Sequence, residues 1–205
     1  LGRVNTGSVA QRLADTPGVA RTILDAARAA RGMPGADPRA MSHSWLFTGP
    51  PGSGRSLAAL DFAAALMCTD PEEPGCGRCE ACQAVLDAKQ HTDLVLVDPQ
   101  EVIIPVDTVR EVIGRAASLP TVAPWRVVIF NNADRLNNNG ANALLKTVEE
   151  PPARTVIIMC APSDAPEDFS QTLRSRCRHL YIPSPSVESI TAQLVSEGAS
   201  DHDAH

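Results

Sequence analysis

Trp45-Leu46-Phe47-Thr48-Gly49-Pro50-Pro51-Gly52-Ser53-Gly54-Arg55-Ser56 is the stretch on which the fold turns. Trp45 to Thr48 read as a short strand. The spacing from Gly49 to Gly54 is the G-x-x-x-x-G of a loop whose backbone N–H groups can gather around a phosphate. Ser56 opens an Ala- and Leu-rich helix to Met67, whose N-terminus favours an anion. Strand, glycine loop and helix in that order belong at the carboxyl edge of a parallel sheet.

The same rhythm continues outward. Apolar runs at Leu94–Asp98, Val127–Phe130 and Thr155–Met159, with a short one at Leu180–Ile182, read as strands buried on both faces. Helices are expected at Val19–Arg31, ended by Gly32-Met33-Pro34-Gly35, and at Thr108–Ala117, with Asp107 as N-cap. A further helix is expected at Asn138–Glu149, stopped by Pro151-Pro152. Strands alternating with helices predict an α/β fold, a parallel sheet flanked by helices on both faces. An amphipathic stretch from Val187 to Val195 begins a further element, and no internal repeat or heptad appears.

Composition narrows the function. Lys and Arg number 18 against 24 Asp and Glu, a net charge of −6, which argues against a free-standing nucleic-acid binder. With two Trp, one Tyr and four Phe, the core must be built from Ala, Val, Leu and Ile. No apolar run approaches the ~20 residues that cross a membrane, and no signal-type apolar segment opens the chain. The expected location is the cytoplasm, where six cysteines are thiols or metal ligands rather than disulfides.

Two places depart from a working P-loop. Arg55 stands where lysine is usual, and a broad planar guanidinium crowds the β/γ-phosphate pocket that a thin ammonium fits. Ser56 keeps the hydroxyl that would touch Mg²⁺. The strand 127–130 ends in Asn131-Asn132, where a P-loop ATPase needs an acidic residue to hold that ion. Asparagine brings neither negative charge nor a proton-accepting carboxylate. Taken alone the pair is an ordinary loop entry, with Asn137-Asn138-Asn139-Gly140 as more turn chemistry. After a P-loop and a buried strand, it becomes a lost acidic pair. Gly49, Gly52, Gly54, Arg55 and Ser56 then form a degenerate loop, either empty or holding ATP or ADP without hydrolysis.

Cysteine spacing is the strongest local signal. Cys68, then Cys76-Gly77-Arg78-Cys79-Glu80-Ala81-Cys82, give two overlapping C-x-x-C units. Four thiolates close a structural zinc site at ~2.3 Å per bond. An iron–sulfur cluster wants a further cysteine at position 86, which is Leu86. Reduced loop cysteines and redox catalysis fit the spacing less well. The Pro-, Gly- and Glu-rich composition from 68 to 82 marks an inserted module.

Leu173-Arg174-Ser175-Arg176-Cys177-Arg178-His179 concentrates positive charge in an acidic chain. It is either a solvated face or a donor of guanidinium to phosphate, which arginine's fork suits. Cys160 and Cys177 read as buried or half-buried thiols.

Together these residues resemble the clamp-loader subunits of the bacterial DNA polymerase III holoenzyme, an AAA+ family, over about residues 42–183. The likeness rests on Leu46 to Gly54, the four cysteines, Asn142-Ala143-Leu144-Leu145-Lys146-Thr147-Val148-Glu149-Glu150-Pro151-Pro152, and Ser175-Arg176-Cys177. Motor subunits of that family (gamma and tau) keep the P-loop lysine and an Asp-Glu pair. Arg55, Asn131 and Asn132 are similar instead to the delta-prime branch. The resemblance implies an AAA+ core over 1–183 and the start of a helical lid over 184–205. The family's collar domain is missing, so a fragment is expected. It implies a stator without ATPase activity of its own, in a pentamer with gamma/tau and delta. That assembly opens the sliding clamp and places it on primed DNA. It also implies that Arg176 serves as an arginine finger in the neighbouring motor subunit's ATP site. The segment Val9–Thr16 follows the family's opening only loosely, which puts adenine recognition in doubt. The rival reading, an ATP-hydrolysing motor subunit, needs Asp134 as its carboxylate, three residues late.

Overall fold

The computed structural model describes residues 7–196, with side-chain surroundings as far as Thr191. Five parallel strands form one sheet in the order β2-β3-β4-β1-β5. They are β1 (Ser44–Thr48), β2 (Leu94–Val97), β3 (Arg126–Phe130), β4 (Thr155–Ala161) and β5 (Arg178–Tyr181). The helices are α1 (Val9–Arg12), α2 (Pro17–Ala30), α3 (Arg55–Met67), α4 (Glu80–Leu86), α5 (Val106–Ala116), α6 (Asn138–Glu149), α7 (Gln171–Arg174) and α8 (Val187–Ser196). The expected lid beyond residue 196 lies outside the described residues.

The apolar runs are unbroken because both faces of the sheet are covered. Trp45, Phe47, Val127, Ile129, Val156, Ile158 and Cys160 point into one core, shared with α2, α3 and α4. Their alternating neighbours Leu46, Val128, Phe130, Ile157, Met159 and Ala161 point into the other, shared with α5 and α6. Period-two alternation with both sides buried is what a parallel α/β sheet demands. The predicted α/β class holds. α3 carries Ala at five of its thirteen positions, and its buried run Ala58–Met67 lets it lie close against the sheet.

Several boundaries differ from the sequence reading, α2 among them, which starts at Pro17 rather than Val19. α5 begins at Val106, not Thr108, and Asp107 lies inside its first turn rather than at the N-cap. Pro105, with φ −61° and ψ 141°, supplies the extended entry instead, and Asp107 pairs with Arg110 at 3.0 Å. β5 starts two residues before Leu180, because Arg178 is already in register with Trp45. β4 runs on to Ala161, held by its pairing with Thr48.

A buried ion pair fixes the loop between α5 and β3. Asp93 accepts from the N–H groups of Thr121 (2.7 Å), Val122 (2.7 Å) and Ala123 (2.8 Å), and from Arg126 Nη2 at 3.1 Å. Arg126 also donates to the carbonyls of Arg115 (2.5 Å) and Ser118 (2.8 Å), closing the end of α5. At the other end of the chain, α1 is tied to α3 by Arg12 Nε on the buried Asp61 at 2.5 Å.

Candidate functional site

The P-loop leaves the carboxyl end of β1. A Cβ on Gly49 would lie 2.4 Å from both the Ile182 carbonyl oxygen and Ser53 Oγ, so glycine is required there. Gly54 turns into α3 with φ +82°, a left-handed geometry that favours glycine. Arg55 is the first residue of α3, and its Nη1 donates to the Gly49 carbonyl at 2.5 Å. The guanidinium thus folds back on the first carbonyl of its own loop. Ser56 is half-buried on the first helical turn.

β3 brings Asn131 to the same edge of the sheet. Asn131 is 9% exposed, and its N–H donates to the Val97 carbonyl at 2.8 Å. Its Oδ1 and the Ser53 Oγ are both buried without a hydrogen-bond partner. Leaving such an oxygen unpaired costs about 1–3 kcal/mol. Asn132 takes φ +54°, the left-handed region that asparagine tolerates best after glycine. No carboxylate stands at the strand end. Asp134 sits exposed in a 3-10 turn, Ala133–Arg135, one step off the sheet.

The four cysteines converge as their spacing requires. The Sγ atoms of Cys68, Cys76, Cys79 and Cys82 all lie within 4.8 Å of one another. A tetrahedral ion with bonds of ~2.3 Å needs sulfur atoms about 3.8 Å apart, and Cys79 and Cys68 stand at 3.8 Å. Backbone N–H groups aim at three sulfurs: Asp70 at Cys68, Cys79 at Cys76, and Cys82 at Cys79, each at 3.4 Å. Those donors favour thiolates, the form that binds metal. The neighbouring Cys82 thiol holds the Cys68 thiol down at about 4, and Cys82 is itself pushed strongly up. The donor set fits a closed structural metal site. Gly77 lets the module dock: its Cβ would fall 1.9 Å from the Gly7 carbonyl oxygen. The Val9 N–H donates to the Gly75 carbonyl alongside, at 2.8 Å.

The arginine cluster separates into three different environments. Arg178 lies 4.9 Å from the centre of the Trp45 ring and donates to the Ala40 carbonyl at 2.5 Å. Arg174 Nε donates to Asp164 Oδ2 at 2.8 Å. Arg176 is exposed: Nε donates to Glu149 Oε1 at 2.6 Å, and Nη1 donates to the Thr172 carbonyl at 2.8 Å. Spacing in the chain gave no sign of Asp164, Glu149 or the Trp45 contact, which are tertiary. Cys160 is buried and Cys177 half-buried, and burial pushes each thiol up to about 12. The two ends of the sheet carry different equipment. The P-loop follows Thr48, beside Tyr181, whereas Arg176 precedes Arg178, beside Trp45. The length of β5, about 10 Å at ~3.3 Å per residue, lies between them.

A phosphate loop at the carboxyl edge of a sheet ordered β2-β3-β4-β1-β5 defines an AAA+ P-loop core, here with an inserted four-cysteine module. A RuvB Holliday junction branch migration motor of Thermotoga maritima (a P216G mutant) shares this fold, with TM-score 0.56, 15% identity, and coverage of 98% of this chain and 56% of that one. A DNA polymerase III gamma subunit-related protein of the same organism matches with TM-score 0.52, 20% identity, and coverage of 75% and 47%. At these identities the likeness is one of fold alone.

The family profile described as DNA polymerase III, delta subunit matches residues 36–186, and the chain belongs to that family, within the clamp-loader proteins of DNA polymerase III. Subunit delta' of Pseudomonas aeruginosa is 36% identical over 165 residues, 77% of this chain and 49% of the relative. Subunit delta' of Escherichia coli is 33% identical over 165 residues, 79% of this chain and 48% of the relative. Subunit gamma/tau of Mycobacterium bovis is 33% identical over 166 residues, 78% of this chain and 28% of the relative. The chain spans about half the length of the delta' relatives it matches. The resemblance to the delta-prime branch is borne out. Among the described residues no helix is long and apolar enough to cross a membrane.

Proposed function

We propose that this chain is a stator of the DNA polymerase III clamp loader: an AAA+ subunit that does not hydrolyse ATP and acts on a neighbour's ATP site. The observation that carries the reading is the end of β3, where Asn131 and Asn132 stand and no carboxylate can hold Mg²⁺ or prepare a water. Loss of a general base alone costs about 10²–10⁴-fold in rate. Nucleotide in the degenerate loop (Gly49, Gly52, Gly54, Arg55, Ser56) would be ATP or ADP bound without turnover. It would have to displace the Arg55 guanidinium from the Gly49 carbonyl.

Arg176 is the residue that does work in trans. It is exposed, near the amino end of β5, and its own P-loop is beyond reach at the other end of that strand. A guanidinium offered to a γ-phosphate held by another subunit is worth about 10³–10⁵-fold at the site it serves. The partners on this reading are the gamma/tau motors and delta, with the sliding clamp and primer-template DNA reached through the assembly. Zn²⁺ in the four-thiolate site is structural: it ties the loop from residue 68 to α4 and supplies no step of the chemistry. On this reading the chain works in the cytoplasm, with the replication machinery.

ATP hydrolysis tests the reading, measured for the chain alone and then for the assembled loader. No turnover is expected alone, with Arg55→Lys restoring none, and Arg176→Ala should lower the loader's rate. Turnover by the isolated chain that disappears in Arg55→Ala would overturn the stator assignment.

A further inference from the structure

Glu149 belongs to the Asn142–Pro152 segment, which the proposed function leaves without a role. It ends α6 on the surface, and its Oε1 accepts from Arg176 Nε at 2.6 Å. The residues come from separate elements 27 positions apart. Two more acceptors meet the same guanidinium: the Thr172 carbonyl at 2.8 Å and Ser175 Oγ at 3.1 Å, both from Nη1. Nε and Nη1 are therefore occupied on two different edges of the planar group, which fixes its plane. Nη2 has no partner among the described residues. The side chains remain 36% and 43% exposed, so the carboxylate steers the guanidinium without withdrawing it from the surface.

We propose that Glu149 is a positioning residue for Arg176, presenting the guanidinium with its Nη2 donors outward to a phosphate on the neighbouring subunit. This rests on the trans-acting role proposed for Arg176. An unrestrained arginine spreads its head group over many rotamers, and each loses entropy when it docks. A carboxylate on Nε removes much of that freedom before the partner arrives and leaves the terminal nitrogens available. As an exposed pair it adds little to folding, so its removal should be felt in turnover and not in stability.

The test uses the chain within the assembled loader, with Arg176→Ala, Glu149→Ala, Glu149→Gln and the double alanine variant. Glu149→Ala should lower kcat for ATP at the site facing this chain about 3- to 10-fold, the scale of one hydrogen bond. The KM for ATP should stay unchanged, because the nucleotide is held by the neighbour. Glu149→Gln, which still offers an acceptor oxygen, should recover part of the loss. The double variant should be no slower than Arg176→Ala alone, since both substitutions act through one group. Zinc content and thermal midpoint should match the parent. If Arg176→Ala slows the loader while Glu149→Ala does not, or speeds it, the positioning role fails and the stator reading stands. Losses that simply multiply in the double variant also overturn the positioning role. If Arg176→Ala itself has no effect, the stator reading fails with it.

Discussion

Replacing Asp93 tests whether one buried carboxylate holds the loop that delivers β3. Asp93→Ala would strand three backbone N–H groups, of Thr121, Val122 and Ala123, and leave Arg126 without its carboxylate. The Asp93 side chain is 0% exposed and that of Arg126 7%, so water cannot replace the lost partner. Removing one member of a buried pair costs about 3–5 kcal/mol. Arg126 keeps the Arg115 and Ser118 carbonyls, which places the loss near ~3 kcal/mol. At a urea slope of about 2 kcal/mol per molar, the midpoint should fall by about 1.5 M. The assay is urea unfolding of the zinc-loaded chain, followed by tryptophan fluorescence, with Trp125 next to the loop. Acid adds a second arm. Burial alone would raise the Asp93 carboxyl, but the N–H groups of Thr121, Ala123 and Val122 and the Arg126 guanidinium hold it at about 2. A depressed carboxylate contributes stability that is complete above its unfolded value of ~3.9 and is lost as pH falls through the folded value. The gap between parent and Asp93→Asn should therefore narrow by about 2 kcal/mol between pH 4 and pH 2. A midpoint shift under ~0.3 M, or a gap that stays constant across that window, would refute the anchoring role.

Chelation should remove one Zn²⁺ per chain and expose amides between residues 68 and 86 to hydrogen exchange, given apparent structural zinc affinities of ~10–16 kcal/mol; elemental analysis that finds iron or no metal counts against the site. Gly77→Ala, whose Cβ would meet the Gly7 carbonyl oxygen at 1.9 Å with φ at +72°, should cost about 2 kcal/mol or more and weaken zinc retention. Gly18→Ala, with open space around it, is the control and should be neutral or stabilising in the same unfolding assay. Arg178→Ala should cost about 1–2 kcal/mol by thermal unfolding, through the Trp45 ring and the Ala40 carbonyl. Arg174→Ala, on an exposed pair, should cost under ~1 kcal/mol, and the reverse order would mean the two roles are exchanged.

The strands were legible because both faces of the sheet are buried, so Val127–Phe130 and Val156–Met159 carry no polar interruption. The cysteine cluster was legible for another reason: two C-x-x-C units close on one point through local turns, and only Cys68 has to arrive from α3. Asn131 was placed by counting from an apolar run to its end. Helix starts were harder. Asp107 has the chemistry of a cap, yet Pro105 set the entry one residue before Val106, because a fixed φ competes with a side-chain acceptor. The long-range partners of the arginines were not legible. Glu149 meets Arg176 across 27 positions, Arg126 meets Asp93 across 33, and Arg178 covers Trp45 from another strand. Nothing in spacing or periodicity marks such pairs; they exist only once the sheet order is set.

The phosphate loop and Arg176 sit at opposite poles of β5 and β1, and that polarity restricts how copies of this architecture can join. A head-to-tail contact that joins the arginine pole of one subunit to the loop pole of the next propagates into a ring or a filament. A subunit with a donor pole and a blank acceptor pole can begin such a row but cannot extend it through its own loop. On the proposed stator reading, such a subunit placed among active neighbours would be a terminus, fixing where the series of firing sites starts and giving the assembly a direction.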